Sequence, residues 1–269
     1  MVKPDDVYAH GHHPSVLRSH TTRTAENSAA HLIPHLYRGA DLLDVGCGPG
    51  TISVDLAERV FPGEVHALDR SADVIEHARE LNRSRSSDAL EFRVGDAYAI
   101  DLPDASKDII HAHQVLQHLS DPVSALREWR RVVRPGGIVA ARDSDYGSFA
   151  WAPNNPLLDR WMALYQALAR TNGAEPDAGR YLLGWAQSAG FTDVTATSST
   201  WTFAEPESRA WWGDLWAERV LHSSFREQSL ALGLTDESEL ERIAAAWRDW
   251  AAQEDGFFMV PHGEIIARR

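Results

Sequence analysis

The segment with the clearest chemistry is Leu42-Leu43-Asp44-Val45-Gly46-Cys47-Gly48-Pro49-Gly50-Thr51, where an apolar run breaks into glycines. Glycines after a strand let the backbone turn tightly and admit a ligand where a Cβ would clash. The same turn brings the first amides of the following helix beside that ligand. A dinucleotide fingerprint spaces its glycines G-x-G-x-x-G. Here they stand at Gly46, Gly48 and Gly50, with Thr51 in the place of the last glycine. Asp44 would face a pyrophosphate unfavourably and a cationic ammonium favourably, so the loop fits an amino-acid-bearing nucleoside better than a dinucleotide. Two more carboxylates follow the next apolar runs. Asp69 comes where Rossmann-like folds hold ribose hydroxyls, and Asp96, after Val94-Gly95, can accept from an adenine amino group. A lone strand-end Asp is more often a helix cap, but three in order with the glycine loop outline one elongated ligand.

Elements must place these residues along one edge. Strand-type runs at 41–45, 64–68, 90–94, 108–113 and 137–142 alternate with helical patterns at 51–60, 71–82 and 122–133. That alternation predicts an α/β fold with a parallel sheet wrapped by helices. Ser71 is a candidate N-cap. Before the sheet, 22–35 reads as a helix with Ala25, Ala29, Leu32, Ile33 and Leu36 on one side. After it come helices at 156–170 and 177–189, a strand at 191–203, a Trp-rich helical stretch at 205–254 and a last strand at 257–268. The expected organisation is an N-terminal helical lid over 1–40, a core over 41–203, a helical cap over 204–255 and a closing core strand over 256–269.

The chain has 269 residues, 43% of them hydrophobic, a net charge of -13 and a single cysteine, Cys47. An acidic surface without a Lys/Arg patch repels phosphates, which argues against a nucleic-acid partner. One cysteine excludes an intramolecular disulfide, and no run is long and apolar enough to span a bilayer. The start of the chain lacks a signal-peptide pattern, so a cytoplasmic protein with no membrane partner, monomeric or homodimeric, is the expectation.

The stretch from Asp41 to about Asp143 resembles the class I methyltransferases that use S-adenosylmethionine, and within them the ubiquinone/menaquinone-biosynthesis group. The resemblance includes His113-Gln114-Val115-Leu116-Gln117-His118-Leu119 and the run Leu126-Arg127-Glu128-Trp129 through Arg134-Pro135-Gly136-Gly137. It implies a Rossmann-like seven-stranded, mostly parallel sheet with an antiparallel last strand, and S-adenosylmethionine as methyl donor. By that likeness Gly46 and Gly48 line the methionine part with Cys47 and Gly50 in the same loop. Asp69 and Arg70 flank the ribose, Asp96 and Ala97 hold the adenine, and His113 and Gln114 pass near the sulfonium. The ends, His12-His13-Pro14 through His20 and Arg23-Thr24-Ala25-Glu26-Asn27, are similar to actinobacterial and fungal secondary-metabolite methyltransferases, some of them acting on diketopiperazine-type amides.

The remaining candidates are weighed residue by residue. Cys47 has no activating partner in sequence and reads as structural. His10-x-His12-His13 lacks acidic or Cys companions at ligand spacing, so no metal is expected. The N-terminal segment instead reads as a cover, with His20, Arg23 and Thr24 toward the donor and Tyr8 and His13 toward the acceptor. Trp212 and Trp216 share a helical face and serve as core or as pocket lining, and Trp212 and His262 are placed in the acceptor pocket. His113 and His118 are the candidate proton acceptors, His118 equally a cap. The reading is direct in-line methyl transfer to a nitrogen, oxygen or carbon of a small molecule such as a cyclic dipeptide. The alternatives are a quinone-type C-methyltransferase and a non-catalytic S-adenosylmethionine-binding regulator.

Overall fold

A computed structural model describes residues 21–85 and 88–269. The central sheet begins as expected, with β1 (Leu42–Val45), β2 (Val65–Asp69), β3 (Leu90–Val94), β4 (Lys107–His113) and β5 (Val133–Ser144). These five are parallel in the order β3-β2-β1-β4-β5. β4 is buried along nearly its whole length, as a strand covered on both faces must be. Then come β6 (Ala150–Ala152), β7 (Asp193–Phe203) and β8 (Phe257–Arg268). β8 runs antiparallel between β5 and β7, from Ile138↔Arg268 to Ser144↔His262 on one side and from Asp193↔Arg268 to Phe203↔Phe258 on the other. The antiparallel last strand is therefore present. The sheet carries an eighth strand beyond the seven expected, since β6 adds three residues on β8's free edge at Phe257–Met259.

Helices cover both faces. The first, α1 (Ala25–Ser28), is only four residues long and stands where a helix over 22–35 was expected. A capping box between Thr24 and Asn27 starts it, Ala29 leaves helical backbone and ends it, and a separate 3₁₀ turn, Ile33–His35, follows with Pro34 in its first positions. Ala25, Ala29 and Leu32 are nonetheless fully buried, so the apolar side was read correctly although the helix was not. α2 (Thr51–Val60) and α3 (Ala72–Leu81) pack with this segment on one face. Ser71 does cap α3, accepting from Val74 N at 3.3 Å. α4 (Pro122–Val132), capped by Asp121, and α6 (Leu182–Ser188) pack on the other face. The helix expected over 177–189 is thus a 3₁₀ turn followed by a shorter α6.

The Trp-rich stretch is three helices rather than one: α7 (Pro206–His222), α8 (Ser224–Ala231) and α9 (Glu237–Ala251). Ser223 and Asp236 cap the second and third, so each break carries its own start signal. α5 (Pro156–Thr171), which precedes β7, joins this layer. Its Trp161 lies 4.5 Å from Trp216 and 4.8 Å from Trp247, ring centre to ring centre, edge on. The helical layer therefore draws on chain from both sides of β7 and closes over the β6–β8 end of the sheet. Among the described residues no helix is long and apolar enough to cross a membrane.

Candidate active site

One side of the site lies at the C-terminal ends of β1, β2 and β3. Gly46 and Gly50 have φ of +69° and +76°. A Cβ on Gly46 would stand 2.4 Å from Val115 Cγ2, and one on Gly50 2.4 Å from the Phe92 ring. Backbone and neighbours therefore both exclude a side chain there. Asp69, half-buried, anchors the loop: Oδ2 accepts from Gly48 N at 3.1 Å and Oδ1 from Ser71 N at 3.0 Å. Asp44 is placed differently from the expectation that it faces a ligand. It is 2% exposed, takes the Ser53 hydroxyl at 2.5 Å and lies 2.8 Å from His111 Nδ1. Asp96 is exposed and accepts from Tyr98 N at 2.9 Å, and next to it Val94 is 56% exposed. Ala97 offers its carbonyl to Trp129 Nε1 at 3.0 Å, and Arg70 is exposed. Burial, then the charges of Asp44 and Asp69, push the Cys47 thiol up, so it stays protonated and is no nucleophile.

The turn after β4 links this loop to everything beyond it. Gln114 holds φ +55°, a left-handed conformation that costs a non-glycine residue on the order of 1 kcal/mol. Four contacts keep it there. Its amide N–H donates to the Arg142 carbonyl at 2.7 Å, and Oε1 accepts from Arg23 Nη2 at 2.5 Å. Nε2 donates to Ser144 Oγ at 2.7 Å and meets His262 Nε2 at 3.0 Å. Because Arg23 fixes the amide oxygen, Nε2 must be the donor, and the ring lone pair of His262 is taken. Gln117 repeats the logic. Its Oε1 accepts from Ser144 N at 3.0 Å, so its Nε2 donates to His118 Nε2, also at 3.0 Å. Under the turn, fully buried Asp143 accepts from Gln117 N at 3.0 Å, and burial pushes its carboxyl up to about 7.

Behind Gln114 lies a buried polar belt. His113 is 5% exposed, and among the described residues neither ring nitrogen has a hydrogen-bond partner. Burial holds it, like His262, well below the ordinary imidazole range, and Arg23 and Arg142 reinforce this. Both rings are neutral. Arg142 pairs with Glu264 at 3.2 Å and sits 4.9 Å over the Trp201 ring, and Glu264 also takes the hydroxyls of Ser199 and Thr197. The Trp201 indole in turn donates to the Asn27 carbonyl at 2.7 Å, tying β7 to the segment before the sheet.

In front of Gln114 opens a cavity of about 680 Å³, within the range of small-molecule sites. Polar groups line it on the side of the Gln114 turn, from Arg23, Gln114, Gln117, His118 and Ser144. The rest of the wall is largely aromatic, with Phe149, Phe203, Trp211, Trp212 and Trp216, and Phe203 stacks on Trp212 at 4.2 Å. Val115, which abuts Gly46, belongs to the same turn as Gln114, so loop and cavity meet across one turn. Of the residues singled out from sequence, Arg23, Gln114, His118 and Trp212 converge here. His262 stands one layer behind, and His113 is sealed beneath. Thr24 is occupied as the α1 cap. Tyr8, His13 and His20 lie outside the described residues.

Sequence reasoning missed Asp143, Ser144, Arg142 and Glu264. A signal existed, since charged residues interrupt the apolar run Ile138-Val139-Ala140-Ala141-Arg142-Asp143 in a strand that must be buried on both faces.

Comparison with known proteins bears on this geometry. The profile of a family described as "Methyltransferase domain" matches residues 36–190. An uncharacterized methyltransferase of Schizosaccharomyces pombe is 36% identical, covering 100% of this chain and 99% of its own. A protein of Aspergillus luteorubrus named "Probable methyltransferase ltbC" is 29% identical over 97% of this chain and 96% of its own. Among solved structures, Haemonchus contortus phosphoethanolamine N-methyltransferase 2 in complex with S-adenosyl-L-methionine shares the fold. Its TM-score is 0.54 and its identity 17%, covering 87% of this chain and 49% of its own. The chain thus belongs to the methyltransferase domain family and is a methyltransferase that takes its methyl group from S-adenosylmethionine.

Proposed function

We propose that this enzyme methylates a flat, mainly apolar small molecule held in the aromatic cavity, with Gln114 at the junction between donor and acceptor. The residues present fit the donor. Asp69 is held half-exposed beside a loop with glycine at every second position, and Asp96 and exposed Val94 offer a polar edge and an apolar surface one strand away. Asp69 would take the ribose hydroxyls, Asp96 and Ala97 the adenine, and the Gly46–Gly50 loop with Arg23 the methionine part. When bound, S-adenosylmethionine supplies an electrophilic methyl group.

The chain's own contribution is placement and exclusion of water. On this reading the helices over 206–251, together with α5, act as a cap. Neutral His113 and His262 support the Gln114 turn from behind, and His118 positions Gln117 rather than taking a proton. A bicyclic arene or a cyclic dipeptide matches the cavity in size and shape.

The observation that carries this reading is the polar-to-aromatic gradient of one cavity that begins at the turn touching the glycine loop. Release of S-adenosylhomocysteine, measured over a panel of planar bicyclic compounds and aliphatic amines, tests it. Turnover confined to the planar set, with KM raised at least tenfold in Trp212→Ala, is expected. Equal turnover of aliphatic amines would sink it.

A further inference from the structure

Three consecutive residues at the end of β5 grip the turn that follows β4. The Arg142 carbonyl accepts from Gln114 N at 2.7 Å. The Asp143 carboxylate accepts from Gln117 N at 3.0 Å, and the amides of Val115 and Leu116 also favour its ionised form. Ser144 donates its own amide to Gln117 Oε1 at 3.0 Å and accepts from Gln114 Nε2 at 2.7 Å. Arg142 and Ser144 thus fix Gln114 and the side chain of Gln117. Asp143 fixes the backbone between them.

That backbone needs an acceptor from elsewhere. Leu116–His118 is a single 3₁₀ turn, and the first amides of such a turn have no carbonyl one turn back to bond. A Ser, Thr, Asp or Asn just before the turn ordinarily meets this need, but Val115 stands there and its side chain cannot accept. Asp143 supplies the acceptor from another strand, 26 residues further along. The turn faces two ways. Val115 lies against Gly46, where a Cβ would stand 2.4 Å from its Cγ2, while Gln114, Gln117 and His118 line the cavity. Asp143 itself is fully buried, so it acts on a ligand only through the turn it holds.

We infer that Asp143 is a positioning residue of the acceptor site: by holding the amides of the turn, its carboxylate sets where Gln114, Gln117 and His118 stand in the cavity. This rests on the proposed function above, which makes that cavity the acceptor site. The donor loop has its own anchor, Gly48 N on Asp69 at 3.1 Å. Loss of the Asp143 carboxylate therefore loosens the acceptor side and spares the donor side.

The test uses the full chain at mildly alkaline pH, where a carboxyl raised by burial to about 7 is ionised. S-adenosylhomocysteine is titrated by calorimetry. Naphthoate, a planar bicycle, is titrated by quenching of tryptophan fluorescence with S-adenosylhomocysteine saturating. Asp143→Ala should weaken naphthoate about tenfold, the size of one lost hydrogen bond, and leave S-adenosylhomocysteine within about threefold. Asp143→Asn keeps an oxygen for Gln117 N and should return naphthoate to within about threefold of the parent. Asp143→Ser, whose hydroxyl falls short of the turn, should behave like alanine and replaces it should the alanine chain not fold. Amide exchange at Leu116 and Gln117 should be slow in the parent and Asn variant and fast in the other two. A merely structural residue would lower stability without separating the two ligands. Naphthoate binding unchanged in the Ala or Ser variant, an Asn variant as weak as either, or equal losses for both ligands overturns the inference. If the parent itself fails to bind naphthoate, the aromatic-acceptor reading falls instead, and amide exchange still decides whether Asp143 holds the turn.

Discussion

Along the β1–β2–β3 edge, contacts are short in sequence and run through backbone: Gly48 to Asp69 spans 21 residues, and Asp69 to Ser71 two. On the β5–β8 side they run through side chains far apart in the chain. Arg23 reaches Gln114 across 91 residues, Gln114 reaches His262 across 148, and Trp201 reaches Asn27 across 174. The first construction tolerates exposure because each bond is local to a turn. The second exists only while the whole sheet is assembled, and it buries neutral imidazoles and a raised carboxyl to do so. On the proposed function, a donor common to many reactions would be met by a local device, and a particular acceptor by a global one.

Acid separates the two most strongly. His31 is lowered to about 4 by burial, and His113 and His262 lie well below their ordinary value. A group depressed in the folded state stabilises above its unfolded pKa of 6.5 and loses that stability as pH falls. Asp143, raised to about 7, has the opposite sign: its contribution is full below the unfolded carboxyl value and is lost as pH rises through about 7. From pH 7 to pH 5.5 the three histidines cost about 4 kcal/mol together and Asp143 returns about half. Denaturant titrations should therefore show a net loss of about 2 kcal/mol, and Asp143→Asn should deepen it to about 4. A flat profile in both proteins would remove the contrast between the two sides.

Asp69→Ala attacks the local device. A charge-assisted bond is worth about 1.5–3 kcal/mol, and this carboxylate holds both the loop and the proposed ribose site. S-adenosylhomocysteine affinity, measured by calorimetry, should fall about tenfold to a hundredfold, while naphthoate affinity stays within about twofold. Matching losses for both ligands would mean that the sides are not separable.

How much was legible follows from the same division. The glycine loop and the parallel strands are readable because their signals lie within single turns and alternating segments. The breaks within the helical stretch at 205–254 were not read because Ser223 and Asp236 are ordinary polar residues until a cap is seen in place. The short α1 was read as long because apolar spacing predicts a buried side and not where the helical backbone stops, at Ala29. Asp143 and the Arg142–Glu264 pair stayed hidden because nothing local distinguishes a buried charge whose partner is on another strand.

Gln114 is where the two constructions join, so its effect should split. Replacing it by glycine relieves the left-handed backbone but removes all three side-chain contacts, whereas alanine removes the contacts and keeps the strain. Gln114→Gly should therefore be more stable than Gln114→Ala by about 1 kcal/mol. Both should lose a similar tenfold or more in kcat while S-adenosylhomocysteine affinity changes little. Equal stability would show that the φ of +55° is not a strain the turn must hold.

The smallest expected effect isolates a single bond of the long-range kind. Trp201→Phe keeps an aromatic ring beside Arg142 and in the cavity wall, but deletes the indole N–H that donates to the Asn27 carbonyl at 2.7 Å. A neutral hydrogen bond is worth about 1 kcal/mol net, which in a protein of this size lowers the melting temperature by about 2–4 °C. The ring contact persists, so naphthoate affinity should stay within about threefold. Trp201→Leu removes the ring as well, and with it the stacking of Arg142 that keeps the Glu264 pair in place. Its melting temperature should therefore fall further, and its naphthoate affinity with it. If Phe and Leu prove alike in both measurements, the ring carries nothing and Trp201 serves only as a donor to the segment before the sheet. If Phe is indistinguishable from the parent, the 174-residue tie is not among the contacts that hold the cavity shut, and the long-range construction begins at Gln114 instead.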